Sequence, residues 1–114
     1  MTLQIEHSEV KPGVILIKLA GRVMLGTESQ RIETLMAELI AKGHRNFVVD
    51  LSEVSHIDST GIGRFIASFN QIRQVTGALR MAAATGQVRS SFHVTRLDSV
   101  FPFYDDVETA CADL

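Results

Sequence analysis

Two segments with helical periodicity enclose one short apolar run, and this order restricts the possible folds more than any other feature of the sequence. Residues 27–43, TESQRIETLMAELIAKG, and residues 59–77, STGIGRFIASFNQIRQVTG, each end on a glycine, which is a common helix stop. Their apolar residues recur at intervals of three and four, which predicts one buried stripe along each helix. The stripes are Ile32, Leu35, Met36, Leu39 and Ile40 in the first segment and Ile62, Phe65, Ile66, Phe69 and Ile72 in the second.

The remaining segments predict strands and two weaker helices. The run NFVVDL between the two helical segments predicts a strand covered on both faces, because its apolar residues follow one another without a break. The β-rich runs LQIEHSEV and GVILIKLAG are separated by Lys11, Pro12 and Gly13, which predicts a hairpin. ALRMAAA predicts another strand, and VFPFY predicts a short edge strand in which a proline is tolerated. GQVRSSFHVTRL and DDVETACADL predict the weaker helices.

Alternation of strands and helices implies right-handed crossovers and parallel pairing. The expected fold class is therefore α/β, as one small domain over residues 1–114. We expect a mixed, mostly parallel sheet of about four or five strands, with an antiparallel N-terminal pair and about four helices.

Composition excludes several classes of protein. An apolar share of 46% is typical of a folded globule, and a net charge of −2 without any basic run does not favour nucleic-acid binding. The apolar runs are far shorter than the roughly 20 residues that cross a bilayer, and the N-terminus lacks a signal-peptide pattern. Cys111 is alone and has no partner for an internal disulfide. We therefore expect a reduced, cytoplasmic protein that does not insert into a membrane.

The starts of both main helices carry capping patterns. Thr27 followed by Gln30 predicts a capping box, and Ser59 predicts an N-cap worth about 1 kcal/mol. Two glycines, Gly61 and Gly63, fall in the first turns of the second helix, where each costs up to about 1 kcal/mol relative to alanine. Either the helix and a strand approach closely there, or a partner must come close to the helix start.

No catalytic site emerges from the motifs. The elbow G-x-S-x-G is absent because Ile57 stands two residues before Ser59, and Asp58 adjoins Ser59 too closely for a triad with His56. The third glycine of a dinucleotide loop is replaced by Ile66. The histidines lack metal-ligand spacing, so we expect no metal and no cofactor; they are His7, His44, His56 and His93. A small phosphate or nucleotide binder that uses Gly61 and Gly63 stays open as an alternative.

A phosphate on Ser59 would suit this position. It would lie beside free backbone N–H groups at the positive end of the helix dipole. It would also add a charge of about −1.5 to −2 next to Asp58 in a domain of small net charge. Such a modification is a binding switch that requires no large change of fold.

The stretch VVDLSEVSHIDSTGIG resembles the signature of the STAS domain, as found in bacterial anti-sigma factor antagonists. The resemblance covers nearly the whole chain, including the lead-in GRVMLGTESQRIETLMAELIAKG to the first helix. The family pattern D-S-[ST]-G-[ILV]-G is matched by Asp58, Ser59, Thr60, Gly61, Ile62 and Gly63.

The resemblance implies a regulatory protein rather than an enzyme. An anti-sigma factor serine kinase would phosphorylate Ser59, with Thr60 as the fallback acceptor, and a metal-dependent serine phosphatase would remove the phosphate. The unphosphorylated protein would bind the kinase and free a sigma factor. The alternative is a STAS interaction module of a lipid-transport ABC system or a stress-signalling scaffold. Such members often lose the serine or its neighbouring aspartate, and this chain keeps both.

The resemblance also implies a partner face at the start of the second helix. Its expected members are Asp58, Ser59, Thr60, Gly61, Gly63 and Arg64. The helical positions opposite the apolar stripe are expected to be exposed, and they are Thr60, Arg64, Ser68 and Gln71. Arg64 is one turn from Thr60 and is able to bind a phosphate or an acidic partner. Ser68 and Gln71 fit a solvated helix face, and Asp50, at the end of its predicted strand, fits a structural role.

Overall fold

The computed structural model describes residues 3–114, in which strands and helices alternate as predicted. The strands are β1 (Leu3–Lys11), β2 (Val14–Val23), β3 (Asn46–Ile57), β4 (Ala78–Ala82) and β5 (Phe103–Tyr104). The helices are α1 (Thr27–Ala41), α2 (Ser59–Gln74), α3 (Gly86–Val94) and α4 (Val107–Cys111), and a 3₁₀ turn spans Leu97–Ser99. The fold class is therefore the predicted single α/β domain.

The five strands form one mixed sheet in the order β1-β2-β3-β4-β5. β1 and β2 pair antiparallel across the predicted hairpin, where Gly13 adopts a φ of +81° that favours glycine. The pairs β2-β3, β3-β4 and β4-β5 are parallel. Because parallel strands end at one edge of a sheet, the starts of α1, α2 and α3 meet at this carboxyl edge.

β3 is longer than the predicted NFVVDL segment and continues to Ile57. Its first part, Asn46–Asp50, lies between β2 and β4, whereas Glu53–Ile57 pairs with β2. The sequence did not predict the continuation, because a strand that has a neighbour on one side only carries polar residues. Such a polar segment has the same residue pattern as a loop. Asp50 thus lies inside the strand rather than at its end, and its Oδ1 accepts a hydrogen bond from the Ser52 N–H at 2.9 Å.

The main core lies between one face of the sheet and helices α1, α2 and α3. Phe92 is fully buried, and its ring centroid lies 5.9 Å from that of Phe65, 6.0 Å from that of Phe101 and 5.0 Å from that of Phe103. These tilted and edge-to-face contacts add to the apolar burial. The aromatic cluster joins α2, α3 and β5 in a rigid base beneath the carboxyl edge.

A second, smaller cluster lies on the other face of the sheet beneath α4. It comprises Val14, Val48, Ala82, Ala110 and Cys111, with Leu16, Tyr104, Val107 and Leu114 packed around it. Since Phe47 and Val49 belong to the main core and Val48 to this cluster, β3 is covered on both faces, as predicted.

The predicted helical stripes are correct for α1 and correct in part for α2. In α1 every predicted member is buried or half-buried. In α2, Ile66 is 38% exposed, and Ser68, predicted to be exposed, is fully buried, while Gln71 is half-buried. The Ser68 hydroxyl donates to the Arg64 carbonyl at 2.9 Å. A serine that returns its hydrogen bond to the preceding turn can be buried at low cost, which the apolar pattern alone does not reveal.

The predicted capping box of α1 is wrong. Gly26 is the N-cap residue, with a φ of 143°, and it has no side chain that could make a capping hydrogen bond. Thr27 is instead the first residue of the helix. Gly26 adopts a backbone conformation that side-chain-bearing residues rarely reach, so the turn into α1 is set by the glycine rather than by a side-chain cap.

We predict that Phe92→Ala lowers the free energy of unfolding by about 3–5 kcal/mol, because it removes the centre of the aromatic cluster. The matched control is Val94→Ala, two residues along the same helix, where the side chain is 77% exposed. The control should change stability by less than about 0.5 kcal/mol. Urea unfolding followed by circular dichroism measures both variants. Equal stabilities would contradict the assignment of Phe92 to the core.

Candidate functional site

Asp58 joins β3 to α2 and is the N-cap of that helix, where Ser59 was predicted. Its Oδ1 accepts a hydrogen bond from the Gly61 N–H at 2.8 Å, and its Oδ2 accepts one from the Leu25 N–H at 2.9 Å. Its own N–H donates to the Val23 carbonyl at 3.3 Å. Aspartate and serine are equally good N-caps, so the sequence alone left the start of α2 uncertain by one residue.

The carboxylate of Asp58 is held in its charged form. Partial burial raises its pKa, but hydrogen bonding from the backbone of Gly61, Leu25 and Thr60 lowers it by more, so the pKa of Asp58 lies below its ordinary value. Asp58 is therefore a fixed negative charge at neutral pH, directly beside Ser59.

Ser59 is the first residue of α2 and is exposed at the carboxyl edge of the sheet. Within residues 3–114, its hydroxyl makes no hydrogen bond. Thr60, the predicted fallback acceptor, is half-buried. Of these two neighbouring hydroxyls, that of Ser59 is the more accessible to a modifying enzyme.

The two glycines at the start of α2 have different structural roles. A Cβ on Gly61 would lie 2.0 Å from the Val23 carbonyl oxygen and 2.9 Å from Ile57 Cγ1. A Cβ on Gly63 would meet nothing within 4 Å. Gly61 is thus explained by the close approach of α2 to β2. Gly63 is exposed and is not required by any contact with residues 3–114.

Arg64 was predicted to be an exposed residue, and the structure contradicts this. Its side chain is 21% exposed and contacts the start of α1. Nε donates to Ser29 Oγ at 3.3 Å, and the guanidinium group also reaches the Gly26 carbonyl at 3.5 Å and Glu33 Oε1 at 3.5 Å. An arginine is long enough to reach the neighbouring helix, and its position in the sequence does not show whether it does so.

Two shallow grooves flank the start of α2. The first, of about 430 Å³, is lined by the turn between β2 and α1, including Leu25, together with Asp58. The second, of about 390 Å³, lies between the start of α2 and α3 and is lined by Ser59, Ile62 and Val94, among others. Leu25 is 80% exposed and Val94 is 77% exposed. Ser59 thus lines the second groove together with Val94, while Leu25 lines the first groove together with Asp58.

Gln87 supports this edge, and no motif in the sequence points to this role. Its Oε1 accepts from the Ile57 N–H at 2.9 Å, and its Nε2 donates to the Ile57 carbonyl at 2.9 Å. The amide therefore takes the place of a neighbouring strand at the end of β3. A glutamine 30 residues away in the chain carries no local signal of such a contact.

Residues 3–114 contain neither a metal-ligand cluster nor a membrane-spanning helix. No group of three or more histidine, cysteine, aspartate or glutamate side chains is arranged to hold a metal ion. No helix combines the length and the apolar character required to cross a bilayer.

Comparison with known proteins identifies the family. The model of the STAS domain matches residues 7–110, and the chain belongs to this family. The anti-sigma-B factor antagonist of Listeria monocytogenes is 30% identical over 100 residues, which cover 88% of this chain and 87% of the relative. Its name describes a regulatory protein and not an enzyme.

Solved structures share the fold. An anti-sigma factor antagonist from Mycobacterium paratuberculosis superposes with a TM-score of 0.85 at 22% identity, covering 97% of this chain and 92% of that one. The Bacillus cell fate determinant SpoIIAA in its phosphorylated form superposes with a TM-score of 0.72 at 18% identity, covering 91% of each chain.

We predict that Gly61→Ala and Gly63→Ala change stability in opposite directions. Gly61→Ala forces a methyl group into the Val23 carbonyl and should lower the free energy of unfolding by about 2–3 kcal/mol. Gly63→Ala places a methyl group in open space and should raise it by up to about 1 kcal/mol. Each variant serves as the control for the other in urea unfolding. A Gly61→Ala protein as stable as Gly63→Ala would contradict the close approach of α2 to β2.

We predict a pH-dependent stability difference between the wild type and Asp58→Asn. Because the folded-state pKa of Asp58 is lowered, its contribution is complete above the unfolded-state pKa of about 3.9. It disappears as the pH falls through the lower folded-state pKa. The wild type should thus be the more stable protein at pH 6, and the difference should shrink on acidification towards pH 3. A difference that is constant over this range would contradict a charged cap.

Proposed function

We propose that this chain is an anti-sigma factor antagonist that is switched by phosphorylation at Ser59. In its unphosphorylated form it binds an anti-sigma factor serine kinase, and a sigma factor is thereby released. The kinase phosphorylates Ser59 and loses its affinity for the antagonist, and a serine phosphatase restores the first state. The single observation that carries this proposal is the exposed Ser59 hydroxyl, which makes no hydrogen bond within residues 3–114.

The relatives support the general role. The Listeria monocytogenes relative is named as an anti-sigma-B factor antagonist, and SpoIIAA, which shares the fold, has a phosphorylated form. Ser59 and its neighbour Asp58 are both retained in this chain. This favours the switched antagonist over the unphosphorylated STAS module of a lipid-transport system or a scaffold.

The arrangement explains how a phosphate would act on binding. Asp58 already places one fixed negative charge beside Ser59, and a phosphate adds about −1.5 to −2 at the same place. A partner surface that accepts a neutral serine in the groove lined by Ser59 and Val94 would then have to desolvate a much larger charge. Loss of affinity follows from local electrostatics, without a change in the sheet or the core.

The partner surface that we propose consists of Asp58, Ser59, Thr60, Gly61, Gly63 and Arg64. The open position of Gly63 leaves room for close approach of a partner, while Gly61 serves the packing of α2 on β2. Arg64 contributes indirectly, because it holds the start of α1 rather than projecting into solvent. Thr60 is the fallback phosphoacceptor.

The deciding experiment measures the phosphorylation state of the protein isolated from its own cells. We predict one phosphate by intact mass, which peptide mapping across residues 47–64 should place on Ser59. Ser59→Ala should abolish it, whereas Ser90→Ala, a change to another exposed serine beside the same groove, should not. An unmodified Ser59 during growth and under several stresses would contradict the proposal and favour the constitutive interaction module.

We further predict that Ser59→Ala folds normally and binds the kinase without release, while Ser59→Asp folds normally and binds poorly. Because Asp58 and not Ser59 caps α2, removing the hydroxyl should cost less than about 0.5 kcal/mol. Urea unfolding and kinase binding by calorimetry measure the two properties. If both variants bound the kinase with the affinity of the wild type, the switch would have to lie at a residue other than Ser59.

A further inference from the structure

Three backbone donors at the start of α2 already have an acceptor on Asp58. The N–H groups of Gly61 and Thr60 act on the Asp58 carboxylate, and the Ile62 N–H donates to the Asp58 carbonyl at 2.9 Å. A phosphate on Ser59 would therefore have to compete with the Asp58 carboxylate for the N–H groups of Gly61 and Thr60, which the sequence led us to expect free.

A phosphate is the stronger competitor for these donors. It carries about −1.5 to −2 and has three acceptor oxygens, whereas the carboxylate carries −1 and has two. Charge-assisted hydrogen bonds and the positive end of the helix both favour the more highly charged group. The two anions also repel each other, because Ser59 follows Asp58 directly in the chain.

Displacement of Asp58 would be transmitted to a second loop. Asp58 Oδ2 accepts the Leu25 N–H at 2.9 Å and so holds the turn between β2 and α1 against the start of α2. Leu25 is the most exposed of the large apolar residues in the part of the chain that the structure describes, at 80%. Its backbone is therefore held against the start of α2 by a hydrogen bond and not by burial of its side chain.

We propose that Asp58 is a positioning residue that couples Ser59 to Leu25, so that a phosphate on Ser59 displaces the carboxylate and releases the backbone of Leu25. The switch would then change the shape of the binding surface as well as its charge. This inference rests on the proposed function only in that Ser59 is the residue that receives the phosphate.

The coupling can be tested on the isolated chain, without the kinase. Phosphoserine is incorporated at position 59 during translation, and hydrogen exchange of the Leu25 amide is followed by NMR. Protection of this amide should fall by about tenfold or more in the phosphorylated protein, because a hydrogen bond to a charged acceptor is lost. Amides in the main core, such as that of Val49, should keep their protection.

Two further samples serve as controls. Phosphoserine at position 90 adds the same charge beside the same groove but outside the start of α2, and it should leave the Leu25 amide protected. Asp58→Ala removes both acceptor oxygens, so neither Gly61 nor Leu25 keeps its hydrogen bond to this side chain. It should release the Leu25 amide without any phosphate.

The outcomes separate this inference from the proposed function. Unchanged protection of Leu25 with phosphoserine at position 59 would overturn the coupling, even if Ser59 is phosphorylated in cells. Unchanged protection in Asp58→Ala would overturn the role of Asp58 as the positioning residue. Should Asp58→Ala fail to fold, the two phosphoserine samples still decide the coupling. Absence of phosphate in cells would contradict the proposed function and leave this measurement unaffected.

Discussion

The carboxylate of Asp58 is the interaction on which the rest of the site depends. One oxygen caps α2 through Gly61, and the other holds the turn before α1 through Leu25. Two loops that are 33 residues apart in the chain are thereby joined at a single side chain. Close approach of α2 to β2 makes this possible, and it requires glycine at position 61, where a Cβ would collide with the Val23 carbonyl.

The site lies on a rigid base. Parallel strands bring the starts of the helices to one edge of the sheet, and the buried ring of Phe92 joins α3 to α2 and β5 beneath it. Gln87 completes the edge by bonding both backbone groups of Ile57.

The sequence predicted the fold well because the period of its apolar residues changes from segment to segment. It predicted the site less well at the level of single contacts. Ile66 fits the apolar stripe of α2 but is partly exposed, and Ser68 breaks the stripe but is buried. Periodicity identifies the buried side of a helix but not which neighbouring element covers each position on it.

The helix starts show the same limit. Thr27 and Ser59 both match capping patterns, yet Gly26 and Asp58 occupy the N-cap positions. The backbone dihedral angles determine which residue becomes the N-cap, and these angles depend on the path of each loop after its strand. The sequence did not predict the polar second half of β3 for a related reason. This half pairs with β2 on one side only, and a strand without a second neighbour can carry the polar residues that are typical of a loop.

The sequence by itself determined the α/β architecture, the place of the segment DSTGIG at the start of a helix and the family to which the chain belongs. These depend on local patterns, namely the spacing of apolar residues and short sequence motifs. Only the tertiary structure decided that Asp58 holds Leu25, that Arg64 contacts the start of α1 and that the two glycines differ in role. Each of these depends on which atoms far apart in the chain come into contact, and local sequence does not encode that distance.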